Sequence, residues 1–147
     1  MAALALQPAR SRTPVLSLRR FWVRLASRTS AIFATSGETE LRNAIEAAAG
    51  REVVRPGSAD GAVSHFEHDI RVGRLIPREH DWEHVWRRAM ELSKEYTREI
   101  LCRTLDIVHV ALAEKEEAGT MVTGDRRQAE LCQRIGLEVT FIDATKY

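Results

Sequence analysis

The sequence predicts an α/β fold in which helices cover a small parallel sheet. The final third of the chain alternates short apolar runs with amphipathic segments across short loops, which is the pattern of strand, helix and strand in a parallel sheet. A length of 147 residues with 44% hydrophobic content suffices for one domain with a real core. Because no apolar run approaches the roughly 20 residues that cross a bilayer, we expect no membrane association.

The first elements follow from short local signals. Ala31–Phe33 is an apolar run that predicts a short strand. Thr35 and Glu38 have the spacing of a capping box, so a helix is expected from about Gly37 to Ala49, ending at Gly50.

A second helix is expected over Ser58–Val72, with Gly73 at its end, and a short strand over Leu75–Ile76, just before Pro77. Asp81 is the expected N-cap of a third helix. That helix has a large apolar stripe at helical spacing, which predicts a core face. The stripe consists of Trp82, Val85, Trp86, Ala89 and Tyr96.

The last elements are a helix over Arg103–Glu117, a strand over Thr120–Thr123, a helix over Arg126–Ile135 ended by Gly136, and a strand over Glu138–Ile142. Four residues of the Arg103–Glu117 helix are expected to face inward: Leu105, Val108, Ala111 and Leu112.

Charge divides the chain into two parts. Residues 1–33 hold six arginines and no acid or lysine, a charge of +6, whereas residues 34–147 hold 16 basic and 21 acidic residues, a charge of −5. We therefore predict an atypical, arginine-rich segment over residues 1–30 and a folded domain over residues 31–147. The first segment has the composition of an organellar transit peptide or a membrane-surface helix. Equally, it is consistent with a misassigned start or a frame-shifted stretch.

Cys102 and Cys132 do not form a disulfide framework, and neither has a close Cys or His partner for zinc. We expect two reduced, buried thiols and a cytoplasmic protein.

Three carboxylates are the candidate functional groups. Asp125 follows the Thr120–Thr123 strand, and Asp106 and Glu40 lie near the starts of their helices, where each also has a structural role as a cap or a dipole partner. At one end of a parallel sheet, the three would form a negative pocket and raise one another's pKa values. A hard divalent cation, Mg²⁺ or Mn²⁺, would relieve that repulsion and suit phosphodiester cleavage.

Four segments carry a family resemblance. They are Thr39–Ala44 (TELRNA), Arg103–Ala111 (RTLDIVHVA), Val122–Gln128 (VTGDRRQ) and Gly136–Val139 (GLEV). Together they resemble the PIN domain as found in VapC-type toxins, over about residues 31–143. The D-x-x-H-x-A segment followed by T-G-D is the more specific part of the resemblance.

The resemblance implies an α/β/α sandwich that binds Mg²⁺ or Mn²⁺ and cleaves RNA. It also implies a cognate antitoxin and a homodimer. By matching positions, Glu40, Asp106 and Asp125 would be the catalytic, metal-binding acids. Supporting and substrate-binding roles fall on five further residues: Asn43 and Thr123 behind the acids, and Arg103, Arg126 and Arg127 at the RNA phosphates.

The sequence departs from the family at its beginning. The family opens with a strand ending in Asp-Thr or Asp-Ser, and that aspartate is a principal metal ligand. Here the first acid of any kind is Glu38. With three acids, metal affinity should fall and cleavage should be impaired or lost. The alternative function is therefore a catalytically silent PIN-like domain that binds an antitoxin or RNA.

Histidines offer weaker alternatives. His80 and His84 match the H-x-x-E-H pattern of inverzincin peptidases, but no third ligand follows. His65 and His68 could pair on a helix face, although exposed polar roles are expected. His109 is expected to pack or hydrogen-bond near the acids, not to act as a base.

Overall fold

The computed structural model describes residues 4–6, 30–52, 54 and 57–143 of the chain. Five strands lie in this part: β1 (Leu4–Leu6), β2 (Ala31–Ala34), β3 (Leu75–Arg78), β4 (Thr120–Thr123) and β5 (Glu138–Phe141). The same part contains five helices: α1 (Thr35–Gly50), α2 (Ser58–Arg71), α3 (Trp82–Ile100), α4 (Thr104–Lys115) and α5 (Arg126–Arg134). The predicted α/β class is confirmed. Apart from Leu4–Leu6 and Ser30, the arginine-rich segment lies outside the described residues.

The strands form one sheet in the order β3-β2-β1-β4-β5. The pairs β2/β3 and β4/β5 are parallel, as predicted, whereas β1 runs antiparallel to both β2 and β4. Four strands therefore end at the same edge of the sheet, which we call the carboxyl edge. The carboxyl end of β1 lies at the opposite edge.

Two hydrophobic clusters lie on the two faces of the sheet. Neighbouring residues of a strand point to opposite faces, and Met121 belongs to one cluster and Val122 to the other. The Met121 cluster contains residues of α3, α4 and α5, whereas the Val122 cluster contains Phe66 of α2 and contacts Leu41 of α1. This arrangement is a three-layer α/β/α sandwich.

Two predictions about the ends of elements differ from the structure. α1 begins at Thr35 itself, with Ala34 as its N-cap and no side-chain cap, so the predicted capping box is wrong. The chain enters this helix directly from a strand, which leaves Thr35 inside the first turn. β3 extends through Pro77 to Arg78 and is an edge strand, the position in a sheet where proline is tolerated.

The N-cap prediction for Asp81 is confirmed, because its carboxylate accepts a hydrogen bond from the backbone N–H of His84 at 3.3 Å. Two predicted core residues are exposed: Trp86 is 44% exposed and Leu105 is 43% exposed. Both cysteines are free and buried, as predicted.

α4 is the most deeply buried helix of the described part. Every residue from Asp106 to Ala113 is buried, because α3 and α5 pack against the helix and it also contributes to the core beneath the sheet. Polar side chains carried by this helix, Asp106 and His109, therefore enter the protein interior. None of the helices in the described part is long and apolar enough to cross a membrane.

Candidate acidic site

The three predicted acids lie where α1, α4 and α5 meet the carboxyl edge. Glu40 is in the second turn of α1, which follows β2 directly. Asp106 is in the first turn of α4, and Asp125 lies between β4 and α5. Because β2 and β4 point the same way, the topology places the starts of α1 and α5 at one edge of the sheet.

Asp125 is held by backbone hydrogen bonds. Its Oδ1 accepts from the N–H groups of Arg127 at 2.8 Å and Gln128 at 3.2 Å, which makes Asp125 the N-cap of α5. Its own N–H donates to Oγ1 of Thr123 at 3.0 Å. Thr123 is 3% exposed, so this buried hydroxyl fixes the turn that carries Asp125.

Asp106 is buried, with 8% of its surface exposed. Its Oδ2 has no hydrogen-bond partner among the described residues. Burial raises the pKa of this carboxyl above its ordinary value, and the negative charge of Asp125 raises it further. The Gln128 side chain donates to the backbone carbonyl of Asp106 at 3.2 Å, which ties the start of α4 to α5.

Glu40 has a half-buried side chain whose Oε2 likewise lacks a hydrogen-bond partner in the described part of the chain. Burial raises its pKa, and so does the charge of Asp106. Glu40 thus interacts with Asp106, and Asp106 with Asp125. Asp106 is therefore close enough to both Glu40 and Asp125 for their charges to interact.

His109 lies one turn after Asp106 on α4 and contacts Glu40. Its Nε2 is 3.4 Å from Oε2 of Glu40 and 3.5 Å from Oγ of Ser36. Burial lowers the pKa of His109 to about 4, so the ring is neutral at physiological pH and the contact with Glu40 is not an ion pair. Ser36 was not predicted as part of the site, because a serine in the first turn of a helix carries no functional signal in sequence.

Of the predicted supporting and substrate-binding residues, Thr123 bonds the backbone of Asp125 and Arg103 interacts with Asp106. The side chains of the other three have no described contact with the acids. Asn43 is exposed on α1, and no described contact joins it to the carboxylates. Arg127 donates from Nη1 to the backbone carbonyl of Leu101 at 3.0 Å, and the Arg126 guanidinium lies 5.9 Å from the centre of the Phe141 ring. Arg103 is the exposed N-cap of α4.

The donor set fits a magnesium ion in part. Glu40 and Asp106 each present a buried, unpartnered oxygen, and Mg²⁺ in proteins is often held by one or two carboxylates and several waters. Asp125 uses one oxygen as a helix cap. No group of three or more His, Cys, Asp or Glu side chains within the described residues is close enough to hold one ion. The pair Glu40 and Asp106 is therefore the candidate metal-binding unit.

The histidine alternatives do not converge on one site. Nδ1 of His80 contacts Glu116, whereas Nδ1 of His84 contacts its neighbour Asp81. His65 bonds to the carbonyl of Gly61 within α2 at 2.7 Å.

No protein-family model matches this sequence, and a search of curated proteins finds no match.

Proposed function

We propose that this protein is a Mg²⁺- or Mn²⁺-dependent endoribonuclease of the VapC toxin type, a PIN-like enzyme that hydrolyses RNA phosphodiesters with reduced activity. The observation that supports the proposal is the pair of buried carboxylates, Glu40 and Asp106. Each has an unpartnered oxygen and a raised pKa at the carboxyl edge of the sheet. Unpaired buried acids destabilise a fold, so a bound cation is the simplest reason to retain them.

Glu40 and Asp106 would hold the cation, which would orient a water and neutralise charge on the phosphodiester during cleavage. Asp125 stays anchored to the start of α5 and contributes negative charge beside Asp106. Arg103 is exposed at the start of α4, three residues before Asp106, where its guanidinium could meet an RNA phosphate.

Arg126 and Arg127 are assigned a smaller part in RNA binding, because their described contacts are with Phe141 and the Leu101 carbonyl. The proposal includes a cognate antitoxin, a homodimer and a cytoplasmic location. These follow from the family resemblance and from the two free thiols.

A second candidate function is a silent PIN-like domain that binds an antitoxin or RNA without cleavage. The direction of β1 favours it. A fourth acid at the end of a central parallel strand would lie beside Glu40 and Asp106, but the central strand β1 runs the other way and ends in Leu6.

RNA cleavage decides between the two. Purified protein is incubated with a mixture of end-labelled RNA oligonucleotides in Mn²⁺ or in EDTA, beside the Asp106→Asn variant. We expect slow cleavage in Mn²⁺, none in EDTA, and a loss of at least about 100-fold in Asp106→Asn. Asp60→Asn, an exposed change on α2, is the matched control and should cleave at the wild-type rate. Cleavage at full rate by Asp106→Asn would refute the assignment, and an absence of cleavage in every condition would favour the silent domain.

A further inference from the structure

A small, partly open pocket lies against α4, beside His109 of the acidic site. The cavity has a volume of about 20 Å³, and its polar lining residues are His80, His109 and Glu116. The remaining lining is apolar and comes from β2, α4 and Met121. A buried water needs about 10–15 Å³, so the cavity has room for one water.

His80 presents one nitrogen to this cavity. Its side chain is 1% exposed, and its Nδ1 lies 3.1 Å from Oε1 of Glu116. A carboxylate accepts hydrogen bonds and cannot donate them, so Nδ1 carries a ring proton. In the neutral ring Nε2 then carries a lone pair, and it has no partner among the described residues. The edge of the ring also contacts Trp82, with 5.9 Å between ring centres, which limits its rotation.

His109, on α4, also lines the cavity, and its unpartnered nitrogen is Nδ1, whereas that of His80 is Nε2. Its side chain is 2% exposed, and its Nε2 faces Glu40 and Ser36. In the tautomer with the proton on Nε2, the ring can donate to Oγ of Ser36 and faces Oε2 of Glu40. In that tautomer Nδ1 carries the lone pair, and it too lacks a partner within the described part of the chain.

Two buried acceptors in one apolar cavity require a donor with two hydrogens. A buried acceptor without a partner destabilises the folded protein. A water molecule supplies two O–H groups and fits the volume. A metal ion would also accept two lone pairs, but the carboxylate in the lining, Glu116, is already in contact with Nδ1 of His80. Water is therefore the favoured occupant.

We propose that one buried water donates hydrogen bonds to Nε2 of His80 and Nδ1 of His109, and that His80 is thereby a positioning residue for Glu40. The resulting chain runs from Glu116 through His80, the water and His109 to Glu40. It keeps the proton of His109 on Nε2, where it can orient the Glu40 carboxylate. The role of Glu40 in metal binding rests on the proposed function, whereas the water and the proton positions do not.

Two measurements on the full wild-type chain test the water and the proton positions. A high-resolution crystal structure should show one density peak of water strength between the two rings, without anomalous scattering. Two-bond ¹H–¹⁵N spectra should show Nε2 of His109 and Nδ1 of His80 as the protonated nitrogens. An empty cavity, an anomalous peak of a metal, or a proton on Nδ1 of His109 would overturn the proposal.

Variants test the positioning role. His80→Phe keeps the ring contact with Trp82 but removes the acceptor, and the same change at the exposed His68 is the matched control. We expect His80→Phe to weaken Mn²⁺ binding about 10-fold, as loss of a group behind a ligand commonly does, and to mix the proton positions of His109. Unchanged Mn²⁺ affinity and unchanged proton positions in a folded His80→Phe would contradict the role.

The outcomes also separate this inference from the proposed function. If the wild-type protein has the water and the stated proton positions but binds no Mn²⁺, the proposed function fails and the water site stands. If it binds Mn²⁺ with an empty cavity, the water site fails alone. Should His80→Phe not fold, the two wild-type measurements still decide the proposal.

Discussion

At the scale of single residues, Asp106 is a carboxylate whose surroundings suit its charge poorly when no cation is bound. It is buried, one of its oxygens is unpartnered, and the charge of Asp125 acts on it. Its pKa in the folded protein lies above the ordinary value of 3.8. The folded protein therefore holds this proton more tightly than the unfolded chain does. The resulting stabilisation is complete below pH 3.8 and is lost as the pH rises through the folded pKa.

The raised pKa of Asp106 predicts how Asp106→Asn changes the free energy of unfolding. In EDTA at pH 7 the variant should unfold with a free energy about 1 kcal/mol higher than wild type, because the amide carries no charge to bury. The difference should shrink towards pH 4, where the wild-type carboxyl takes up its proton. Urea unfolding at the two pH values measures it, with Asp60→Asn as the neutral control. A less stable variant at pH 7 would mean that the Asp106 charge is already compensated by the protein.

The predictability of the site also differs from residue to residue. Asp125 was identified from its place between a strand and a helix, and its cap role was expected on the same grounds. The contacts of Glu40 with His109 and Ser36 join α1 to α4, residues far apart in the chain, and no local pattern encodes them. Trp86 is exposed although it lies on the predicted apolar stripe of α3. Helical spacing identifies such a stripe but does not show how much of it the neighbouring helix α4 covers.

At the scale of elements, the inward face predicted for α4 is confirmed at Val108, Ala111 and Leu112 and is wrong at Leu105. The sequence reasoning assigned one inward face, but α4 is buried on all sides over Asp106–Ala113 and Leu105 precedes that stretch. Helices α3 and α5 also pack on α4, so its apolar residues need no single stripe. Strand and helix boundaries were predicted closely where glycine ends a helix, as at Gly73 and Gly136.

Two glycines give a paired prediction at this scale. Gly136 ends α5 with a φ of 81°, whereas Gly61 lies inside α2, and a Cβ at either position meets no atom within 4 Å. Gly136→Ala should destabilise the protein by about 1–2 kcal/mol, because L-residues resist a left-handed backbone. Gly61→Ala should stabilise it by roughly 0.5–1 kcal/mol. Thermal unfolding measures both, and shifts of the same sign would contradict the assigned backbone conformations.

At the scale of the whole molecule, the α/β class and the direction of four strands were predictable from the alternation of apolar runs and helices. The place of β1 was not. Leu4–Leu6 is a three-residue run in a segment whose arginine content suggested a separate role, yet its backbone pairs with both β2 and β4. Strand pairing over such sequence distances depends on the whole sheet, so composition alone could not reveal it.

This pairing predicts that β1 contributes to the stability of the domain. Ala5 is in register with Ile32 on one side and Met121 on the other. Ala5→Pro removes a backbone N–H from a central strand and should lower the free energy of unfolding by about 1–3 kcal/mol. Ala5→Ser keeps the N–H and a small side chain, so it should unfold like wild type. Equal stability of the proline variant would show that residues 31–147 fold without this strand.

The measurement that tests the central claim most directly is a calorimetric titration of the metal-free protein with Mn²⁺. If Glu40 and Asp106 form a two-carboxylate site, each chain binds one Mn²⁺ ion. The affinity for Mn²⁺ should then be lowered at least about 10-fold in both Glu40→Gln and Asp106→Asn. Glu46→Gln, an exposed change on the same helix as Glu40, should bind Mn²⁺ like wild type. No heat of binding in the wild-type protein, or an isotherm unchanged by Asp106→Asn, would contradict the account.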